Sequence, residues 1–187
     1  SRISCGNSDI AQAFAQAIWH TEAPVLRTAP VPMMLLSGLV RSQGYKVVLT
    51  GEGSDEVLGG YDIFKEAKIR HFWAKNPNSA FRPRLLKRLY PYLDLSQAQA
   101  QVYLQNFFGA ALDQPNVPHF SHIPRWTTTA RCKEFFSESL KTQLRDNALE
   151  AMRQSFPSAL DRWHPFHRAQ YIEVKSLMAG YLLCSQG

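Results

Sequence analysis

The sequence predicts an α/β fold in which helices dominate and one clear strand, near residues 46–50, is buried. Three observations predict it. Lys46-Val47-Val48-Leu49-Thr50 contains a short continuous apolar run, the pattern of a strand covered on both faces in a parallel sheet. A glycine-rich segment, residues 51–60, follows at the strand's carboxyl end. Almost everything beyond residue 61 carries apolar residues at helical spacing.

The elements follow in order. Asn7, Ser8 and Asp9 offer caps for a helix running to about His20, with Ile10, Phe14 and Ile18 on one face. A loop with Pro24, Pro30 and Pro32 leads to a buried helix over residues 33–43, which Gly44 is placed to stop. After the strand and the glycine-rich segment, helices are expected over about 62–75 (ended by Pro77), 83–90, 96–108 (capped by Ser96), 128–136, 138–154 and 166–183. The stretch 113–126, with Pro115, Pro118 and Pro124, reads as the one long loop. A buried strand needs neighbours on both sides, and only Arg2-Ile3-Ser4 offers itself as a further stub. The expectation is that sheet partners lie outside these residues. The absence of an initial Met and the stop at Ser185-Gln186-Gly187, after an apolar helical pattern, point the same way.

Composition narrows the class. At 187 residues, 45% hydrophobic and 12% aromatic, the chain can bury a core and does not read as disordered. No apolar run approaches the roughly 20 residues of a membrane span, and Met33 to Val40 is broken by Ser37 and Gly38. No apolar stretch follows Arg2, so residues 1–9 are not expected to act as a secretory signal. Cys5, Cys132 and Cys184 are far apart, which argues against a disulfide framework or structural zinc and suits a reducing cytoplasm. The formal charge of +6 is local: residues 62–94 hold eight basic side chains against three acidic ones. With Phe72, Trp73, Phe81, Tyr90 and Tyr92 interleaved, that stretch reads either as a solvated helical face or as a surface for nucleic acid or an acidic partner. No nucleic-acid-binding signature supports the second reading, and neither nucleic acid nor membrane is expected as a partner.

The chemistry concentrates in Thr50-Gly51-Glu52-Gly53-Ser54-Asp55-Glu56-Val57-Leu58-Gly59-Gly60-Tyr61. In open α/β sheets the ligand crevice lies beyond the carboxyl ends of the strands, where residues 51–56 would project. Gly51 and Gly53 permit a sharp turn and close approach of a ligand to the main chain. Glu52, Asp55 and Glu56 put three carboxylates within five residues, a concentration that a cation would relieve. Mg²⁺ takes oxygen ligands, usually one or two carboxylates with phosphate oxygens, so a Mg²⁺–nucleotide site accounts for the cluster. A P-loop is excluded because no Lys lies between Lys46 and Lys65, and Glu56 stands where a dinucleotide fingerprint needs glycine. An acidic helix start capped by Ser54 accounts for Asp55 and Glu56 but leaves Glu52, Gly53 and the Gly59-Gly60 pair unexplained.

This block resembles that of the glutamine-hydrolysing asparagine synthetases, a strand followed by (S/T)GEG(A/S)DE, two hydrophobic residues and GGY, and it matches at every such position. The upstream run Ile18-Trp19-His20-Thr21-Glu22-Ala23-Pro24, then Arg27, then Pro32-Met33, is also similar, and Tyr181-Leu182-Leu183 resembles the lead into that family's Asp-Arg-Met motif. The resemblance implies a Rossmann-like ATP pyrophosphatase synthetase domain, with residues 1–61 as a partial nucleotide-binding portion and 62–187 as its helical portion. The family's pyrophosphate loop and N-terminal glutaminase domain are absent from these residues, so the chain by itself is expected to be inactive. In the family, aspartate's side-chain carboxylate attacks the α-phosphate of ATP to give β-aspartyl-AMP and Mg²⁺-bound pyrophosphate. Ammonia tunnelled from the glutaminase domain then displaces AMP to give asparagine. By position, Thr50, Gly51, Gly53 and Ser54 would contact ATP or AMP, Glu52 would be the catalytic group at the reacting centre, and Asp55 would hold Mg²⁺. Glu22, Arg27 and Glu56 would face substrate or support the site. Related β-lactam-forming synthetases carry Tyr where Glu52 stands, so Glu here implies amidation. The family resemblance also implies a full-length enzyme that is a homodimer. Two alternatives stand: a relative amidating another carboxylate, such as a peptide or cell-wall precursor, and a helical binding module using the 62–94 face.

Several residues are set aside. Glu22 and Arg27 also fit a salt bridge bracketing the proline-rich loop. His164 and His167 have metal-like spacing, but Pro165 separates them and no third ligand is near in sequence. Cys184 and Tyr61 read as packing, and the sequence leaves Glu173 open.

Overall fold

The computed structural model describes residues 1–22, 24–25, 27–90, 98–144 and 148–183. Among them every regular element is helical and no strand forms, which corrects the expected α/β fold. Residues 46–50 lie outside any regular element, and Leu49 is 98% exposed, with Val47 and Val48 also open to solvent. The reason is physical. A strand is held by neighbouring backbone that takes up its N–H and C=O groups, and no described segment forms a ladder with this one. Arg2-Ile3-Ser4 is likewise irregular and exposed.

The chain forms two compact units, Ser1–Leu58 with Ile172–Gly187, and Gly59–Tyr171. In the first, α1 (Asn7–Thr21) starts where the Asp9 carboxylate accepts the Gly6 N–H at 2.8 Å and ends at Glu22, whose φ of 51° is left-handed. It packs on α2 (Pro30–Ser42). Proline suits a helix's first turn, where its missing N–H costs nothing, so α2 begins at Pro30 rather than at Met33. Val31 is fully buried while Leu36, Ser37 and Gly38 are exposed, so α2 covers one side only instead of being buried all round. The short α3 (Ser54–Leu58) packs against a π-helix, Glu173–Leu182.

The second unit begins with α4 (Asp62–Ala74), which packs on a 3₁₀ helix at Arg82–Arg88. Next come α5 (Ala98–Phe108), α6 (Ile123–Ala130) with a 3₁₀ extension at Arg131–Phe135, α7 (Glu138–Gln143) and α8 (Ala148–Gln154). A 3₁₀ turn at Leu160–Arg162 and α9 (Pro165–Ile172) complete the order. The cap expected from Ser96 and the core position expected for Cys184 lie outside the described residues. The expected loop 113–126 gives way to helix at Ile123, because Pro124 sits in the first turn of α6. Ser137 caps α7, its Oγ accepting the Leu140 N–H at 3.2 Å.

Trp73, Leu86, Leu89, Leu104, Phe108, Leu112 and Phe120 form this unit's core. Beside them lie charges that the sequence placed on a basic face. Arg70 is completely buried. Its guanidinium donates to the carbonyls of Phe108 (2.9 Å), Ala110 (2.5 Å) and Phe120, and lies 3.9 Å from the centroid of the Phe120 ring. Burial holds Arg70 down to about 10, against the opposing pull of Glu66. Glu66, also buried, accepts from Arg125 Nη2 at 2.7 Å and from the Tyr90 hydroxyl. No helix among the described residues is long and apolar enough to cross a membrane.

Candidate functional site

The glycine-rich turn belongs to the first unit, and its backbone is set by short-range hydrogen bonds. Thr50 Oγ1 accepts the Glu52 N–H at 3.4 Å. The Gly51 carbonyl accepts the Ser54 N–H at 3.1 Å, and the Gly53 carbonyl accepts the Val57 N–H at 3.0 Å. Gly53 has φ +88°, a left-handed conformation that side chains disfavour. A Cβ there would stand 3.0 Å from Met178 Sδ of the π-helix. Glycine at 53 therefore answers two demands at once, the turn and the close approach to Met178. Around Gly51 nothing lies within 4 Å of the place a Cβ would take, so the main chain there faces open space.

The three carboxylates do not share one environment. Glu52 and Asp55 are exposed, whereas Glu56 is only 1% exposed. Asp55 and Glu56 both stand in the first turn of α3, the end of a helix that favours negative charge. Thr50 and Ser54 are exposed and flank the turn.

Arg27 is half-buried, and its guanidinium lies 4.3 Å from the centroid of the Tyr181 ring. The π-helix is thus the common support of the site, with Gly53 against Met178 and Arg27 against Tyr181. It also carries the buried Glu173, and π-helical turns recur at functional positions. Glu22 is exposed at the end of α1, and no ion pair joins it to Arg27 among the described residues. Sequence reasoning missed the π-helix as a scaffold. It predicted one uninterrupted helix over 166–183, and nothing local in Met178 marks it as a partner of Gly53, 125 residues away.

No group of three or more His, Cys, Asp or Glu side chains that could hold a metal forms among the described residues. His164 Nδ1 accepts the Phe166 N–H at 3.2 Å, and His167 Nδ1 bonds Gln170 Oε1 at 2.8 Å. At the glycine-rich turn Asp55 presents an exposed carboxylate, a hard oxygen donor that leaves room for phosphate and water and is the kind of ligand Mg²⁺ takes.

Comparison with known proteins supplies the context. The profile of the asparagine synthase family matches residues 1–186. A protein named Amidase chyE from Penicillium rubens is 28% identical over 186 residues, 95% of this chain and 27% of the relative. Amidase chry2 from Gibberella zeae is 25% identical over 189 residues, 93% of this chain and 26% of that protein. A probable glutamine-hydrolysing asparagine synthetase from Schizosaccharomyces pombe is 47% identical over 60 residues, 31% of this chain and 11% of that enzyme. The chain therefore spans about a quarter of the length of the amidases it matches. No solved structure matches it.

Proposed function

The chain belongs to the asparagine synthase family, and from that premise we propose that it contributes to the site of an ATP-dependent, amide-forming ligase. The observation that carries this reading is the 50–56 turn. There the backbone at Gly51 is open, and two exposed carboxylates stand at the start of a helix.

Each residue then has a task. Thr50, Gly51, Gly53 and Ser54 offer main-chain and hydroxyl groups to the adenylate portion of ATP. Asp55 would hold Mg²⁺, which would supply charge neutralisation to a pyrophosphate leaving group. Glu52 stands at the reacting acyl centre and takes a proton from the attacking amine. Glu56, being buried, supports the start of α3 instead of meeting ligand. Arg27, fixed over Tyr181, holds the proline-rich loop to the π-helix. In the finer form of the reading the acceptor is aspartate, the donor is ammonia derived from glutamine, and the products are asparagine, AMP and pyrophosphate.

A second reading keeps the chemistry and changes the acceptor. The relatives that match across nearly the whole chain bear the name amidase, whereas the asparagine synthetase from Schizosaccharomyces pombe matches 31% of it. That favours amidation of a carboxylate other than aspartate's. A product assay separates the two. In the protein that carries this chain, AMP and pyrophosphate should form from ATP only when the correct carboxylate is supplied. Release with aspartate, with asparagine appearing in equal amount, supports the first reading. Silence with aspartate and release with another carboxylic acid supports the second. ADP and phosphate as products contradict both.

A further inference from the structure

The basic stretch of the second unit does not behave as one surface. Arg70 is internal, Arg82 lies over the Phe72 ring at 4.4 Å and Arg84 over the Phe81 ring at 4.8 Å. Lys87 and Arg88 are exposed on the 3₁₀ helix, and the other lysines line α4. Phe64, Lys68, His71 and Lys75 follow one another at spacings of three and four, so they stack along the helix. Opposite them stand His164 and the Phe166 ring of α9, and between the two walls lies a cleft of about 620 Å³. That volume falls in the range of small-molecule sites, about 300–1,000 Å³.

The cleft has a polar and an apolar part. Phe64 and Phe166 meet with ring centroids 5.3 Å apart, and Ala169 packs with them. Gly59 lets Phe166 seat there: its φ is +75°, and a Cβ would come within 2.8 Å of the Phe166 ring. Along the rim, Lys65 is matched by Asp62 at 3.0 Å. Lys68 and Lys75 are exposed and have no acidic partner among the described residues. They sit about 10 Å apart along the helix axis, with His71 between them. The surroundings are electropositive: burial first, then Arg70, Arg168, His164 and Lys75, hold the His71 imidazole down to about 4.

We propose that this cleft binds a small anion with a flat apolar body, the negative group held between Lys68 and Lys75 and the body lying on Phe64 and Phe166. Uncompensated cations beside an aromatic floor favour such a ligand over a neutral one or a bare inorganic anion. The site is independent of the ligase reading, since it uses none of residues 50–56.

Titration of the full chain with 1-naphthyl phosphate, by calorimetry and by shifts of the His71 ring resonances, tests it. Inorganic phosphate supplies the head alone and 1-naphthol the body alone. The aromatic phosphate should bind at least about tenfold more tightly than either, a tenfold step being 1.4 kcal/mol. The double variant Lys68→Ala/Lys75→Ala should weaken it by about tenfold or more, and added salt should weaken it further. Lys133→Ala, on an exposed side chain elsewhere, should leave it unchanged. Absence of saturable binding, equal affinity for inorganic phosphate, or indifference to the double variant would overturn the proposal.

Discussion

At the scale of single residues, Gly51 and Gly53 look alike in the sequence and differ in the folded chain. Gly53 is left-handed and meets Met178; Gly51 has open space where a side chain would go. Gly53→Ala should therefore cost about 1–2 kcal/mol, and Gly51→Ala much less, read from urea unfolding midpoints. Equal effects would contradict the assigned turn. Glu66 offers a second contrast. Its carboxylate is buried and takes both Arg125 and the Tyr90 hydroxyl, while the Arg125 side chain is 41% exposed and can reach water. Glu66→Ala should cost about 3 kcal/mol, the low end for breaking a buried pair, and Tyr90→Phe about 1 kcal/mol. Neither role was legible in the sequence. A Glu or Arg on a helix reads as solvated, and the partners of Glu66 and Arg70 lie 24 to 59 residues away along the chain. The motif 50–61 was legible as a unit, but which of its carboxylates is buried was not, since Glu56 and Asp55 are adjacent and differ only in the direction they face.

At the scale of elements, apolar spacing of three and four located α1, α4 and α5, because such a stripe has a single way to be covered in a helix. The same logic failed for Val47-Val48-Leu49. An apolar run announces that it can be covered, and says nothing of what covers it. Proline misled twice in the same direction: Pro30 and Pro124 read as loop and instead open α2 and α6. The exposed state of residue 49 has a direct consequence. Leu49→Lys should change the stability of this chain by less than about 0.5 kcal/mol, as surface substitutions do. A loss of several kcal/mol would restore the buried strand. Ser137→Ala, which removes the α7 cap, should cost about 1 kcal/mol, detectable as a lowered unfolding midpoint.

At the scale of the whole molecule, the second unit holds two histidines whose protonation burial opposes. His71 sits near 4, and His119 is also lowered, by burial first and then by Arg153 and His122. Their folded values lie below the unfolded one of about 6.5, so the unfolded chain binds more protons as pH falls toward 4. Stability should thus be complete above about 6.5 and decline as pH drops through that window. His71→Gln, read against the unmodified chain by urea midpoints between neutral pH and about 4.5, should flatten the decline. An unchanged slope would contradict the half-buried neutral imidazole.

The ligase reading rests on the glycine-rich turn, and Asp55 is its sharpest probe, because its carboxylate is exposed and its loss should leave the fold intact. The measurement is Mg²⁺-dependent pyrophosphate release by the protein that carries this chain, with Asp55→Asn compared against the unmodified form at matched circular dichroism. The variant should lose release by about a hundredfold or more, with partial recovery at high Mg²⁺. Release near the unmodified rate would contradict that reading.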